Sequence, residues 1–382
     1  MLSHLTPLLL ILTSLSTSAH AWERHATLSP WILKSLPPEV SAVLSASSPA
    51  PCPTDDQAHY EKLARELSLK PGLVISPTHP ASASGCGPFG ALNGSRPQVS
   101  ALQILAGPSV DDPDNGMDRD LPESADPHGD RATMGGTTGP TSQGFRHMYF
   151  GGWKWEHPVA TFQVPFHSIG QAPERAQVMA EAARALIQSG DVVWGARVLT
   201  WAMHYVQDLA QPFHSTQIPD LSMVPWFALL DWPPGKAFGA LVKETTRTIS
   251  NFHWAFEGYT ELRIQEDTTN PYLECLDKPQ DFARLQIDRS TAPEPKTLAL
   301  AVADSSVALG AEVGESVVDF FGSHIKSREY DLANEKGKIN YADMAVRPDK
   351  VRERHRMHEV TCRALANGIL ASQKLIEWAF RK

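Results

Sequence analysis

The chain has 382 residues, 42% of them hydrophobic, and 34 Lys and Arg against 43 Asp and Glu give a formal charge of −9. This composition supports a sizeable buried core and excludes a disordered chain. The mild acidity lacks the basic footprint of a sequence-specific nucleic-acid binder, while leaving room for an enzyme that cuts nucleic acid.

Residues 5–15, LTPLLLILTSL, form an apolar run too short to span a bilayer, and STSAHA follows it. Ala19-His20-Ala21 fits the small-residue cleavage rule of export signals, although no Lys or Arg precedes the run. The expectation is a signal peptide over 1–21, a mature chain beginning at Trp22 with a free α-amine, and a secreted or periplasmic protein. In an oxidising compartment Cys52, Cys86, Cys275 and Cys362 read as staples, with three possible connectivities for two disulfides.

Residues 22–382 read as one all-α, multi-helix domain with long loop insertions. Helices are expected over 26–36, interrupted by Pro30, and over 58–67. Residues 71–97 are a Pro/Gly/Ser-rich loop; residues 111–140 are a second, acidic and glycine-rich, and too polar to bury. From 173 onward apolar residues recur at three- and four-residue intervals through 209, broken at Ser189-Gly190 into two helices joined by a tight turn. Further helices are expected over 243–264, 299–321 and 360–380. Alternating β patterns are scarce.

The chemistry concentrates in His204-Tyr-Val-Gln-Asp208-Leu-Ala-Gln-Pro212-Phe-His214. His204 and Asp208, four apart, project from one face of a helix. Pro212 ends its regular course, so the chain can turn and bring His214 back. Two imidazoles and a carboxylate so placed suit a divalent transition metal. Alone, such a pattern is more simply two satisfied histidines and a surface aspartate. It is not alone: His253 and Glu257 repeat the spacing between apolar and aromatic neighbours, where an unpaired carboxylate would be costly. His147 sits in Phe145-Arg-His-Met-Tyr-Phe150, Asp111 and Asp112 follow Gly107, and His25 stands three residues after Trp22, whose free amine and carbonyl can chelate a metal.

This set of residues resembles the zinc-dependent phospholipase C family, whose relatives include single-strand-specific nucleases of the S1/P1 type. HYVQDLAQPFH matches the family's H-Y-x-x-D-x-x-x-P-x-H signature position for position. The resemblance implies a site for three zinc ions. One would take Asp112, His147, His204 and Asp208; a second would take His214, His253 and Glu257; the third would take the amine and carbonyl of Trp22, His25 and Asp208. The distance from Gly107 favours Asp112 over Asp111, and Asp112 is the expected catalytic carboxylate, orienting or deprotonating an attacking water. Zinc clusters supply activated water and charge neutralisation to phosphodiester hydrolysis.

Two features favour a phospholipid substrate, cleaved to diacylglycerol and a phosphorylated headgroup. The later pair ends in Glu257, where the nuclease branch carries aspartate. The stretch over 223–234 is apolar, and Trp226, Phe227, Leu230 and Trp232 would either dip into a membrane surface or fill the core. Pro113 follows Asp112 and Phe145 is one place off the family position, so a choline preference does not follow. The remaining readings are a single-strand nuclease and a non-catalytic zinc- or lipid-binding protein.

Overall fold

The computed structural model describes residues 25–53, 56–70, 73, 75–76, 98–118, 143–151, 153–157, 160–164, 168–216, 218–230, 234–266, 270–288, 291–334 and 336–381. The expected signal peptide, Trp22, Cys86, Trp232 and most of both long loops lie outside them. Among the described residues helix dominates, and β structure is confined to short antiparallel pairs, which bears out the all-α class.

Five long helices form the frame: α1 (Ala172–Gln188), α2 (Val192–Ala210), α3 (Pro234–Ile264), α4 (Pro295–Phe321) and α5 (Val351–Phe380). The expected break between α1 and α2 is present, with Gly190 at φ 93°, a conformation that costs glycine little. Asp191 then caps α2 by accepting from the Trp194 N–H at 3.4 Å. Every residue of α2 from Val193 to Ala210 is buried, because α1, α4 and α5 pack around it. A helix enclosed on all sides has no solvent face to receive polar residues, so His204 and Asp208 must find partners inside.

Boundaries differ from expectation where burial, not periodicity, decides. Helix α5 starts at Val351 rather than 360, since its first turns are mostly solvated and carry Arg352, Arg354 and Arg356 in place of an apolar stripe. Helix α3 starts at Pro234 rather than 243. Pro30 opens the α-helix Ser29–Lys34 after a 3₁₀ turn, His25–Leu28, instead of interrupting a longer one. A hairpin of β1 (Trp153–His157) and β2 (Ala160–Val164) was not expected at all. Helix α4 is long and apolar enough to cross a membrane by length and composition, yet it packs against α1, α2 and α5.

Two features tie the outer elements to the frame. Cys275 and Cys362 form a disulfide between the short helix Leu273–Asp277 and α5, while Cys52 is bonded in a disulfide of its own. The chain after α4 wraps α3: Arg247 donates to the carbonyls of Lys326, Ser327 and Tyr330, and Asn251 to those of Ile325 and Tyr330. Helix α4 in turn passes close over the chain beyond α2. A Cβ on Gly310 would lie 2.9 Å from Thr216 Oγ1, so a side chain there would push α4 off the turn that carries His214.

Candidate metal centre

Near the C-terminal end of α2, six stretches of chain, the turn Pro113–Met117 with Asp114 among them, bring buried imidazoles and carboxylates together. His204 and Asp208 come from α2, His214 from the helical turn Pro212–Ser215, His253 and Glu257 from α3, His147 from the short helix Gln143–His147, and His25 from the first 3₁₀ turn. Pro212 ends α2 as expected, and Gln211 caps the next turn by accepting from the Phe213 N–H. Three groups have donor atoms within 4.8 Å of one another: His25, His204 and Asp208; Asp114, His147 and His204; and His214, His253 and Glu257.

The distances show how the groups adjoin. Asp208 divides its two oxygens: Oδ1 lies 3.4 Å from His25 Nε2, and Oδ2 lies 3.0 Å from His147 Nδ1 and 3.3 Å from His204 Nε2. His214 Nε2 approaches His253 Nε2 at 3.1 Å, and His253 Nε2 stands 2.7 Å from Glu257 Oε1. The rings are aimed by their outward nitrogens. His204 Nδ1 donates to the Val110 carbonyl at 2.8 Å, His214 Nδ1 to the His147 carbonyl at 2.9 Å, and His25 Nδ1 to Gln207 Oε1 at 2.9 Å. A neutral imidazole that donates from one nitrogen offers a lone pair at the other. In that tautomer, the one a bound cation would require, the inward nitrogens of His25, His204 and His214 present lone pairs to the centre.

Burial makes this arrangement costly without a cation. Asp208 and His204 are wholly buried, and His25 Nε2 and both Asp208 oxygens have no hydrogen-bond partner. Burial opposes charge on His25 and His147, but the surrounding carboxylates, Asp208 foremost, with Asp114 beside both and Asp118 beside His147, together lift them to about 9 and about 10. Burial depresses His204 to about 3 despite the Asp208 carboxylate, and Asp208 itself, though buried, is held well below the usual carboxylate range by His204 and His147. Convergent imidazole nitrogens and carboxylate oxygens, buried and short of partners, are a donor set that fits zinc. The fit holds for His25, His147, His204, Asp208, His214, His253 and Glu257 as expected from sequence. Trp22 lies outside the described residues.

The aspartate assignment needs correction. Asp112 is not in the cluster: its Oδ2 accepts from Arg197 Nε and Nη2 at 3.1 and 2.9 Å and from Trp201 Nε1 at 2.9 Å. Asp111 is not there either; it accepts from the Ala26 N–H at 3.3 Å, and burial pushes it up to about 6. The carboxylate in the cluster is Asp114, 3.4 Å from His147 Nδ1, 3.7 Å from His204 Nε2 and 3.8 Å from His25 Nε2. The turn Pro113–Met117 rotates the chain so that residues two apart face opposite ways. The expectation that 111–118 is too polar to bury also fails, since Asp112, Asp114 and Asp118 are all buried against cations or imidazoles. A signal for this was present: Arg197, inside the apolar run Val192-Val-Trp-Gly-Ala-Arg197-Val-Leu, requires a buried acid as partner.

Solvent reaches the cluster at Asp114 and His253, each 9% exposed where its other residues are at 0 or 1%. Trp226, Phe227 and Leu230, on the 3₁₀ turn Trp226–Leu230 that packs on α3, are 56%, 51% and 85% exposed, while Met223, Val224 and Ala228 are buried. Core filling therefore does not account for those three. Away from the cluster, His358 shares a 2.9 Å hydrogen bond with the Tyr259 hydroxyl and stacks on its ring. Comparison with family models, curated proteins and solved structures returns no significant match.

Proposed function

We propose that the chain is an exported zinc-dependent phosphodiester hydrolase of the phospholipase C type. The observation that carries the reading is Asp208, a wholly buried carboxylate whose two oxygens face two different donor groups with no hydrogen bond to either. A bridging carboxylate resolves that placement. Asp114, His147, His204 and Asp208 would hold one ion, and His214, His253 and Glu257 a second. His25 and Asp208, with the mature N-terminus at Trp22, would hold a third.

Bound zinc ions supply Lewis acidity, lowering the pKa of water and neutralising charge that grows on a phosphodiester. The chain's own residues do the rest. Val110, Gln207 and the His147 carbonyl accept from three outward Nδ1–H groups and so keep those imidazoles in the tautomer with a bare nitrogen facing inward. Gln211 Nε2 donates to Glu257 Oε1 at 2.8 Å and holds that carboxylate in place. Asp114, at the open edge, takes the role first assigned to Asp112: its carboxylate orients the attacking water and accepts its proton.

A glycerophospholipid is favoured over single-stranded nucleic acid by the exposed Trp226, Phe227 and Leu230, which offer an apolar surface for a membrane interface. The test is to incubate the mature protein with phosphatidylcholine vesicles and with single-stranded DNA, each with and without chelator. Chelator-sensitive release of diacylglycerol supports the reading. Cleavage of DNA alone moves it to the nuclease branch, and no cleavage of either leaves a zinc- or lipid-binding protein. Leu230→Ser with Trp226→Ser should slow hydrolysis of vesicles while sparing a short-chain soluble lipid.

A further inference from the structure

His147 differs from His25, His204 and His214. His204, His214 and His25 turn their outward nitrogens to neutral acceptors, the Val110 carbonyl, the His147 carbonyl and the Gln207 side chain. His147 presents Nδ1 inward, 3.0 Å from both His204 Nε2 and Asp208 Oδ2, and its Nε2 faces a carboxylate, Asp118 Oδ2, at 3.3 Å. Asp118 is wholly buried. Arg175 donates to its Oδ1, the Tyr205 hydroxyl donates to its Oδ2, and Arg146 donates to its carbonyl. Enclosed in this way, Asp118 cannot reach a substrate.

We propose that Asp118 is a positioning residue for the metal centre: it fixes the His147 ring with Nε2 protonated and Nδ1 as electron-pair donor, and strengthens that donor above the other imidazoles. The inference rests on the metal reading above. A carboxylate behind a ligating imidazole raises its basicity, and losing such a partner costs about 10- to 100-fold in metal affinity. Two buried arginines hold Asp118 as an anion in a medium that would otherwise expel charge. Tyr205 donates to the oxygen that His147 Nε2 faces, and so competes with the imidazole for it. The effect is local: it acts on the ion held by Asp114, His147 and His204, while the group of His214, His253 and Glu257 is braced by Gln211 instead.

The test is zinc content of the full mature chain against a graded series of chelator concentrations. Asp118→Asn should weaken one ion about 10- to 100-fold and leave the others at wild-type affinity. Tyr205→Phe frees Oδ2 for His147 and should hold the same ion more tightly. A purely structural role would not give opposite signs. If Asp118→Asn fails to fold, Tyr205→Phe decides alone. Wild-type release in both variants, equal weakening of every ion, or looser binding in Tyr205→Phe overturns the proposal. A wild-type protein that takes up no zinc at all removes the metal reading itself, which is a separate and distinguishable failure.

Discussion

Helix α2 and the turn over 111–118 both deliver buried carboxylates to the same neighbourhood, under different rules. On α2 the four-residue spacing places His204 and Asp208 on one face, and burial of the whole helix then forces them to meet partners inward. In the turn, Asp111, Asp112, Asp114 and Asp118 go to four destinations within eight residues: the Ala26 N–H, Arg197 with Trp201, the imidazole cluster, and Arg175 with Tyr205. A helix converts spacing into direction. An irregular turn does not, so there direction depends on which partner stands opposite.

The comparison breaks most sharply on α2. His204→Ala should lower phosphodiester hydrolysis by about 10³-fold, since Lewis-acid stabilisation by a bound metal is worth several kcal/mol; undiminished turnover in a phosphodiesterase assay would remove the metal reading. On the turn, neighbouring aspartates should fail in different ways. Asp112→Ala leaves Arg197 buried without its carboxylate and should cost about 3–5 kcal/mol in stability. Asp114→Ala should instead abolish tight binding of one zinc with a smaller loss of stability. Denaturant titration of the metal-free proteins and zinc analysis separate the two, and equal behaviour of both variants would collapse the distinction.

The region remote from the cluster supplies the control. Replacing both Cys275 and Cys362 with serine opens a link across 87 residues and should cost about 2–5 kcal/mol, with zinc uptake unchanged. The smallest effect concerns acid. Burial, with Arg263 and Arg354 nearby, lowers His358 from 6.5 to about 3. Between those values the unfolded chain binds a proton that the folded one excludes, so stability falls as pH drops. The contribution is about 2 kcal/mol between pH 6.5 and 5. His358→Gln should flatten that part of the pH–stability curve, and an unchanged slope would mean the group titrates normally.

Much of the candidate site was legible because its residues lie on regular structure. The His204, Asp208 and His214 set follows from helix spacing and Pro212, and the His253 and Glu257 pair from the same rule on α3. His25 and His147 entered through sequence context, and the fold brings both to the cluster. Asp114 and Asp118 were not legible: the distance from Gly107 pointed to Asp112, and spacing within Asp111-Asp-Pro-Asp-Asn-Gly-Met-Asp118 does not tell which acid an irregular turn aims inward. The hairpin of β1 and β2 and the solvated start of α5 escaped for a related reason: short or exposed segments carry little periodicity.

By itself the sequence determined that this is a helical protein, with imidazoles and carboxylates at spacings that converge on a helix face. Those properties are local, set by hydrogen-bonding geometry within a few residues. Only the tertiary structure decided which acid of the turn enters the cluster, that Arg146, Arg175 and Arg197 are buried as counter-charges, and that Trp226, Phe227 and Leu230 stay exposed. The reason is physical: inside a low-dielectric core a charge is placed by its opposite, and that opposite comes from residues far away along the chain.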